Sequence, residues 1–192
     1  MTAAPETELV ARAARGDPEA TAALLAEVRP GLVRYCRARL GRIGGAYATA
    51  DDVAQEVCLA VLRALPRYRD QGRPFSAFVY GVAAHKVADA QRIAVRDSAV
   101  TSSGGLPDEP DRDPGPEQRA VATDLARRLS ALLARLPEAQ REIVLLRVAV
   151  GLTADEVGVI VGMSAAAVRV AQSRALARLR VLAGTALNEV AA

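Results

Sequence analysis

The chain has 192 residues, room for one large or two small domains, and a formal charge of +3 with a pI near 9.2 makes it mildly basic. Two cysteines (Cys36, Cys58) and one histidine (His85) leave no zinc-ligand spacing, and with no Trp and only two Phe the composition favours helices over sheets. No basic segment followed by an apolar core opens the sequence, and the longest uncharged stretch, Val157–Val168, falls well short of the roughly 20 residues of a membrane span; both point to a cytoplasmic protein.

Asp17-Pro18 opens a helix expected to run through roughly Leu40, with Leu24, Leu25, Val28, Leu32, Val33 and Cys36 as its buried stripe. The two cysteines read as reduced core residues rather than a disulfide. Thr49 is placed to cap the next helix, which ends before Pro66 and turns Val53, Val57, Val61 and Ala64 inward. Asp52, Gln55 and Glu56 fall at i, i+3 and i+4 on its other side. Asp51 and Asp52 stabilise a helix N-terminus through the dipole. Gln55 and Glu56 continue the same face beyond the reach of that effect, which suits a basic protein partner.

A polar loop, Arg67–Pro74, precedes a helix predicted from about Phe75 to Arg96. Between Leu62 and Asp97 seven cations (Arg63, Arg67, Arg69, Arg73, Lys86, Arg92, Arg96) stand against Asp70, Asp89 and Asp97, with Tyr68, Phe75, Phe78 and Tyr80 interleaved. Cations plus aromatics are what a surface needs to hold unstacked bases beside a phosphate chain. Phe75 and Phe78 read as core anchors of a small helical module, and Tyr68, in the loop, as the better base contact. His85 shares a helix face with Asp89, Arg92 and Arg96, but no nucleophile or partner base lies at a useful spacing, and Gly44-Gly45 lacks the Lys and Ser/Thr of a phosphate-cradling loop. The expectation is no catalytic site, no metal, no cofactor and no small-molecule substrate.

Residues 98–120 pack four Pro and three Gly among Ser, Thr and acids, with Asp108, Glu109, Asp111, Asp113 and Glu117 against Arg112 and Arg119. That net −3 leaves +6 on the remainder. Such a stretch buries too little to offset its chain entropy and reads as a flexible acidic tether. Beyond it, Val121, Leu125, Leu129, Leu132 and Leu136 mark a helix, and Pro137 suits the first turn of the next.

The strongest local signal closes the chain. Thr153 and Glu156 have capping-box spacing; Val157, Ile160 and Val161 share one side of the helix they open; Gly162 ends it and Ser164 caps another. Val168, Ala175 and Leu179 would pack inward, leaving Arg169, Gln172 and Ser173 outward and Ala165 and Ala166 near the helix start. No Asp or Glu occurs from Val157 to Asn188, whereas Arg169, Arg174, Arg178 and Arg180 do. A helix-turn-helix with a one-signed second helix suits a phosphate backbone.

Taken together, these residues resemble an extracytoplasmic-function sigma factor of the sigma-70 family, most like the SigD type. DDVAQEVCLAVLRALPRY is similar to the family's polymerase-binding helix, GRPFSAFVYGVAAHKVADAQR to its −10 region, and LPEAQREIVLLRVAVGLTADEVGVIVGMSAAAVRVAQSRALARL to its −35-reading domain. The resemblance implies an all-α fold of two small helical domains. Residues 1–97 would be sigma-2-like, 98–120 the flexible acidic Pro/Gly linker, 121–184 the sigma-4-like helix-turn-helix domain and 185–192 a tail. It also implies roles. Asp51, Asp52, Gln55 and Glu56 would meet the β′ clamp helices of core RNA polymerase, and the β flap would hold the second domain. Arg67, Tyr68, Arg69, Arg73, His85, Lys86, Arg92 and Arg96 would take the −10 element, the Arg67–Pro74 loop capturing a flipped base. Ser164, Ala165, Ala166, Arg169, Gln172, Ser173 and Arg174 would meet the −35 duplex in its major groove. An anti-sigma factor, often membrane-anchored in this family, would mask these surfaces. His85 stands where many relatives carry Asn, Ala84 where many carry Arg, and Ala171 where Arg is frequent, which leaves Arg169 as the principal bidentate reader. Two rival readings are a stand-alone helix-turn-helix regulator with a helical sensor domain, and a sigma-like adaptor that binds polymerase without melting DNA.

Overall fold

The computed structural model describes residues 3–40, 50–100, 125 and 128–191, and every regular element in them is helical. Thr49, residues 101–120 of the expected tether, and Val121 lie outside the described residues.

A helix not anticipated from the sequence comes first. Helix α1 (Ala3–Ala14) packs Val10 and Ala13 into the core. Helix α2 (Pro18–Leu40) starts at the expected place. Asp17 accepts from the backbone N–H of Glu19 and Ala20, each at 3.0 Å, and is gripped by Arg12 at 2.8 Å. The Ala20 N–H, then Arg12, hold the Asp17 carboxyl below its ordinary range. The expected stripe on α2 is partly replaced: Leu24, Leu32 and Cys36 are buried, but Leu25, Val28 and Val33 are half-buried while Gly31 and Tyr35 are buried.

Helix α3 (Ala50–Ala64) turns Val53, Val57 and Val61 inward and continues as a 3-10 turn over Leu65–Arg67, so the polar loop proper begins at Tyr68. Helix α4 runs Phe75–Val100, longer than expected, and takes in residues 98–100. No Gly or Pro occurs between Arg96 and Gly104, so nothing local stops it at the expected end.

The second half begins with helix α5 (128–134) and helix α6 (Glu138–Val144). Here the predicted stripe shifts: Leu133 and Leu136 are buried, whereas Leu125 and Leu129 are exposed. Helix α6 widens into a π turn over Leu145–Val150, ending at left-handed Gly151. Helices α7 (Ala154–Val161) and α8 (Ala165–Ala191) form the helix-turn-helix.

The two halves share one core. Leu24, Leu32, Tyr35, Val57, Val61, Val79 and Val87 of α2, α3 and α4 lie in a cluster that also takes Ile143, Leu146, Ala154, Val157 and Val168 from the second half. A smaller cluster, Leu133, Leu136, Val144, Leu145 and Ala175, is buried within the second half, with Ala38 of α2 packed against it. Gly31 makes the close approach possible. A Cβ there would collide with the Tyr80 hydroxyl and sit 3.4 Å from Val150 Cγ1 across the seam.

Candidate nucleic-acid interface

The helix-turn-helix is built from local signals in the expected order. Thr153 Oγ1 accepts from the Glu156 N–H at 3.2 Å, and the Glu156 carboxylate accepts from the Thr153 N–H at 2.7 Å, a complete capping box. Gly162 ends α7 with φ of +71°, and Ser164 Oγ accepts from the Ala167 N–H at 3.2 Å to start α8. Sequence reasoning missed Gly158. A Cβ there would lie 2.5 Å from the Met163 carbonyl, so only glycine lets α7 and the turn approach this closely.

On α8 Val168 and Ala175 are fully buried, and Arg169, Ser173 and Arg174 are exposed, as are Ser164 and Ala166; Ala165 is half-buried. Arg169 faces Asp155 at 3.8 Å, an exposed pair of little strength. Gln172 is different. It is half-buried and accepts from Arg147 Nε at 3.0 Å, while Arg147 also donates to the Leu152 carbonyl. Gln172 thus helps bind the recognition helix to the π turn as well as facing outward. Met163, Val159 and Val170 add exposed apolar surface to the helix-turn-helix. Their signal in the sequence was a run of large apolar residues on both faces of a short amphipathic pattern.

The first half presents two surfaces. On α3, Asp51, Asp52, Gln55 and Glu56 are all exposed, and Leu59 and Leu62 extend that side as exposed apolar residues. Leu59 lies seven positions after Asp52, a spacing that could have flagged it. Asp51 pairs with Arg37 at 2.7 Å, and Glu56 with Lys86 of α4 at 3.0 Å. Two residues expected to serve different partners, Glu56 and Lys86, are therefore joined.

In the loop, Asp70 accepts from the Gly72 N–H at 2.8 Å, fixing a tight turn that displays Arg67, Arg69 and Arg73. The Tyr68 ring is not free. It packs against Phe75 and Phe78 with centroids 5.5 and 5.2 Å apart, and burial, then Asp70 and Glu6, raise its hydroxyl's pKa. The large apolar rings compete for Tyr68 because a small module has few other aromatics to pack. Tyr80 likewise is buried, edge-on to Tyr35 at 5.5 Å. Along α4, His85, Arg92 and Arg96 are exposed, with Arg92 paired to Asp89.

Both thiols are free; burial pushes Cys36 up to about 12 and raises Cys58. Among the described residues no group of three or more His, Cys, Asp or Glu is placed for a metal ion, and no helix is long and apolar enough to cross a membrane.

The loop and the helix-turn-helix meet. Arg73 of the loop lines one open cleft with Asp155, Gly158, Val159, Gly162, Met163 and Ala165 of the helix-turn-helix. Ser76, in the first turn of α4, donates to Glu156 of the capping box at 3.2 Å.

Family comparison divides the chain along the same lines. Residues 24–96 match Sigma-70 region 2, and residues 126–179 match Sigma-70, region 4. The chain is 57% identical to the ECF RNA polymerase sigma factor ShbA of Streptomyces griseus, over 91% of this chain and 93% of that one. It is 55% identical to the ECF RNA polymerase sigma factor SigD of Mycobacterium tuberculosis, over 90% and 81%. Among solved structures, CnrH in complex with the cytosolic domain of CnrY aligns with a TM-score of 0.67 at 26% identity, covering 92% of this chain and 96% of that one.

Proposed function

The chain belongs to the extracytoplasmic-function sigma factors of the sigma-70 family, which direct RNA polymerase to specific promoters, and from that premise we propose how its residues divide the work. The family acts as non-catalytic initiation factors; this chain, on our reading, acts by binding alone, in the cytoplasm. The exposed α3 side, Asp51, Asp52, Gln55 and Glu56 with Leu59 and Leu62, meets the basic clamp helices of core polymerase β′. Acids give charge complementarity to such a surface and the leucines supply buried apolar area.

The Arg67–Pro74 loop holds the −10 element as an unstacked strand, with Arg67, Arg69 and Arg73 on phosphates and the Tyr68–Phe75–Phe78 cluster as the platform beneath a flipped base. His85, Lys86, Arg92 and Arg96 continue the phosphate track along α4. Ser164, Arg169, Ser173 and Arg174 meet the −35 duplex, with Ala165 and Ala166 allowing close approach and Arg169 reading a base edge. Gln172 orients the helix through Arg147 and has one face left for DNA. The β flap takes the second half, and an anti-sigma factor masks the same surfaces.

The observation that carries this reading is the occurrence of both sigma-70 regions, with an exposed acidic side on α3, in one chain matched along nine-tenths of its length by a sigma factor. A stand-alone regulator has no use for that acidic face and is not favoured. Run-off transcription with core polymerase on a promoter library tests it: start sites that appear only when this protein is added are expected. DNA binding as a dimer on palindromes, without stimulated transcription, would overturn it.

A further inference from the structure

The outward line of α8 is short of groups that hydrogen-bond to a base. Val168 and Ala175 are fully buried, and Ala171, Gln172 and Leu179 flank them half-buried. At about 100° per residue, the direction opposite that buried line is shared, to within roughly 30°, by positions 166, 170, 173 and 177. Ala166, Val170, Ser173 and Ala177 stand there, all exposed. The same spacing sets exposed cations to either side of the strip, Arg169 and Arg180 along one edge and Arg174 and Arg178 along the other. Two alanines and a serine leave one large side chain within it. Val170 is 49% exposed and belongs to neither apolar cluster of the core.

Resting on the reading that α8 enters the major groove of the −35 duplex, we propose that Val170 is a specificity-determining residue that reads the C5 methyl group of a thymine on the groove floor. A helix in that groove has a phosphate strand on each side and base edges beneath it. Two rows of arginine bordering an uncharged strip match this cross-section, and no Asp or Glu from Val157 to Asn188 opposes it. The small residues at 166, 173 and 177 let the helix come close to the bases.

Thymine alone presents an apolar group in the major groove; the other bases present only donors and acceptors there. Valine can neither donate nor accept. Against guanine, adenine or cytosine it would strip water from a polar edge and return no hydrogen bond. Against a thymine methyl, both partners remove apolar surface from water. Val170 is also stiff, because a β-branched side chain in a helix holds one dominant rotamer. Its methyl groups are already placed, and little side-chain entropy is lost on contact. In water alone the position would favour alanine, the better helix former, so contact with DNA is what the valine adds.

Deoxyuridine tests the proposal, since it keeps the thymine O4 acceptor and lacks only the methyl group. The full chain with core polymerase first selects promoters from a library randomised across −35. The selected duplexes are then remade with deoxyuridine for thymine, one position at a time on either strand. At one −35 position the affinity of the wild-type holoenzyme should fall about fourfold, what burying one methyl group is worth. Val170→Ala, a change that favours the helix, should bring that ratio to about one and relax base preference at the same pair, with preference elsewhere kept. Selected −35 elements without thymine would overturn the assignment of Val170. So would indifference of the wild type to deoxyuridine, or a deoxyuridine effect that persists at full size in Val170→Ala. A wild-type chain that yields no start sites with core polymerase would instead overturn the sigma reading, and this inference with it.

Discussion

The helix-turn-helix and the seam that holds it against the first half are built on opposite principles. In the former, Thr153, Glu156, Gly162 and Ser164 satisfy one another within a single short stretch, through a capping box, a left-handed helix end and a second cap. In the latter, Arg34, Tyr35 and Arg39 reach Ala149, Glu142 and Glu138 from the other end of the chain, leaving buried polar atoms unpaired. The helix-turn-helix is therefore held by its own local caps, whereas its docking is non-local, with polar contacts flanking the apolar core that the two halves share.

The sharpest test of the division is a charge reversal on the exposed acidic side of α3, the side proposed to meet core polymerase. Glu56→Lys sets a second cation beside Lys86, now 3.0 Å from the Glu56 carboxylate, and presents the wrong sign to a basic clamp. Core binding should fall by about 100-fold or more, several kcal/mol, while −35 duplex binding by the second half persists. Retained affinity in a pull-down with core polymerase would remove this side from the polymerase interface. Next in size is Leu146→Ala. Leu146 comes from the π turn yet is fully buried in the cluster that the two halves share. If the halves unfold together, the cavity should cost about 2–5 kcal/mol in a single thermal transition; two separate transitions would mean the shared core is only a contact.

This contrast also explains what could be read in advance. Caps and turn residues act over three to five positions, so the order Thr153, Glu156, Gly162, Ser164 announced the helix-turn-helix without any fold. Asp17 announced α2 in the same way. What could not be read was pairing at long range. Tyr35 lies outside the α2 stripe that periodicity marks, and its burial comes with contacts to Tyr80 and Glu142 that periodicity cannot see. Tyr68 looked like a loop residue free to meet a base because nothing local said that Phe75 and Phe78 would pack against it. Leu125 and Leu129 had helical spacing but stay exposed, since the core the second half uses comes partly from the first. Gly158 and Gly31 were invisible for a related reason: each is required by the backbone or ring that comes close to it, not by its neighbours in sequence.

Within the reader itself Arg169 and Gln172 should now separate. Among the described residues Arg169 has only the loose Asp155 pair, so its guanidinium is available to a base edge. Arg169→Ala should cost about 1–3 kcal/mol in −35 affinity and relax preference at one position, measured by selection from a randomised promoter library. Uniform weakening with unchanged preference would make Arg169 a phosphate contact.

The smallest effect tests whether the reader's stiffness is its own. Thr153→Ala removes the hydroxyl that accepts the Glu156 N–H and releases one half of the capping box. Replacement of such a cap costs about 0.5–2 kcal/mol, typically near 1. Glu156 would still accept from the Thr153 position's backbone N–H and from Ser76 across the seam. The loss should therefore appear as lower thermal stability with DNA preference intact. A change in −35 preference of the same size would mean that α7 does not hold α8 rigidly, and that the capping box belongs to the reading surface as much as to the fold.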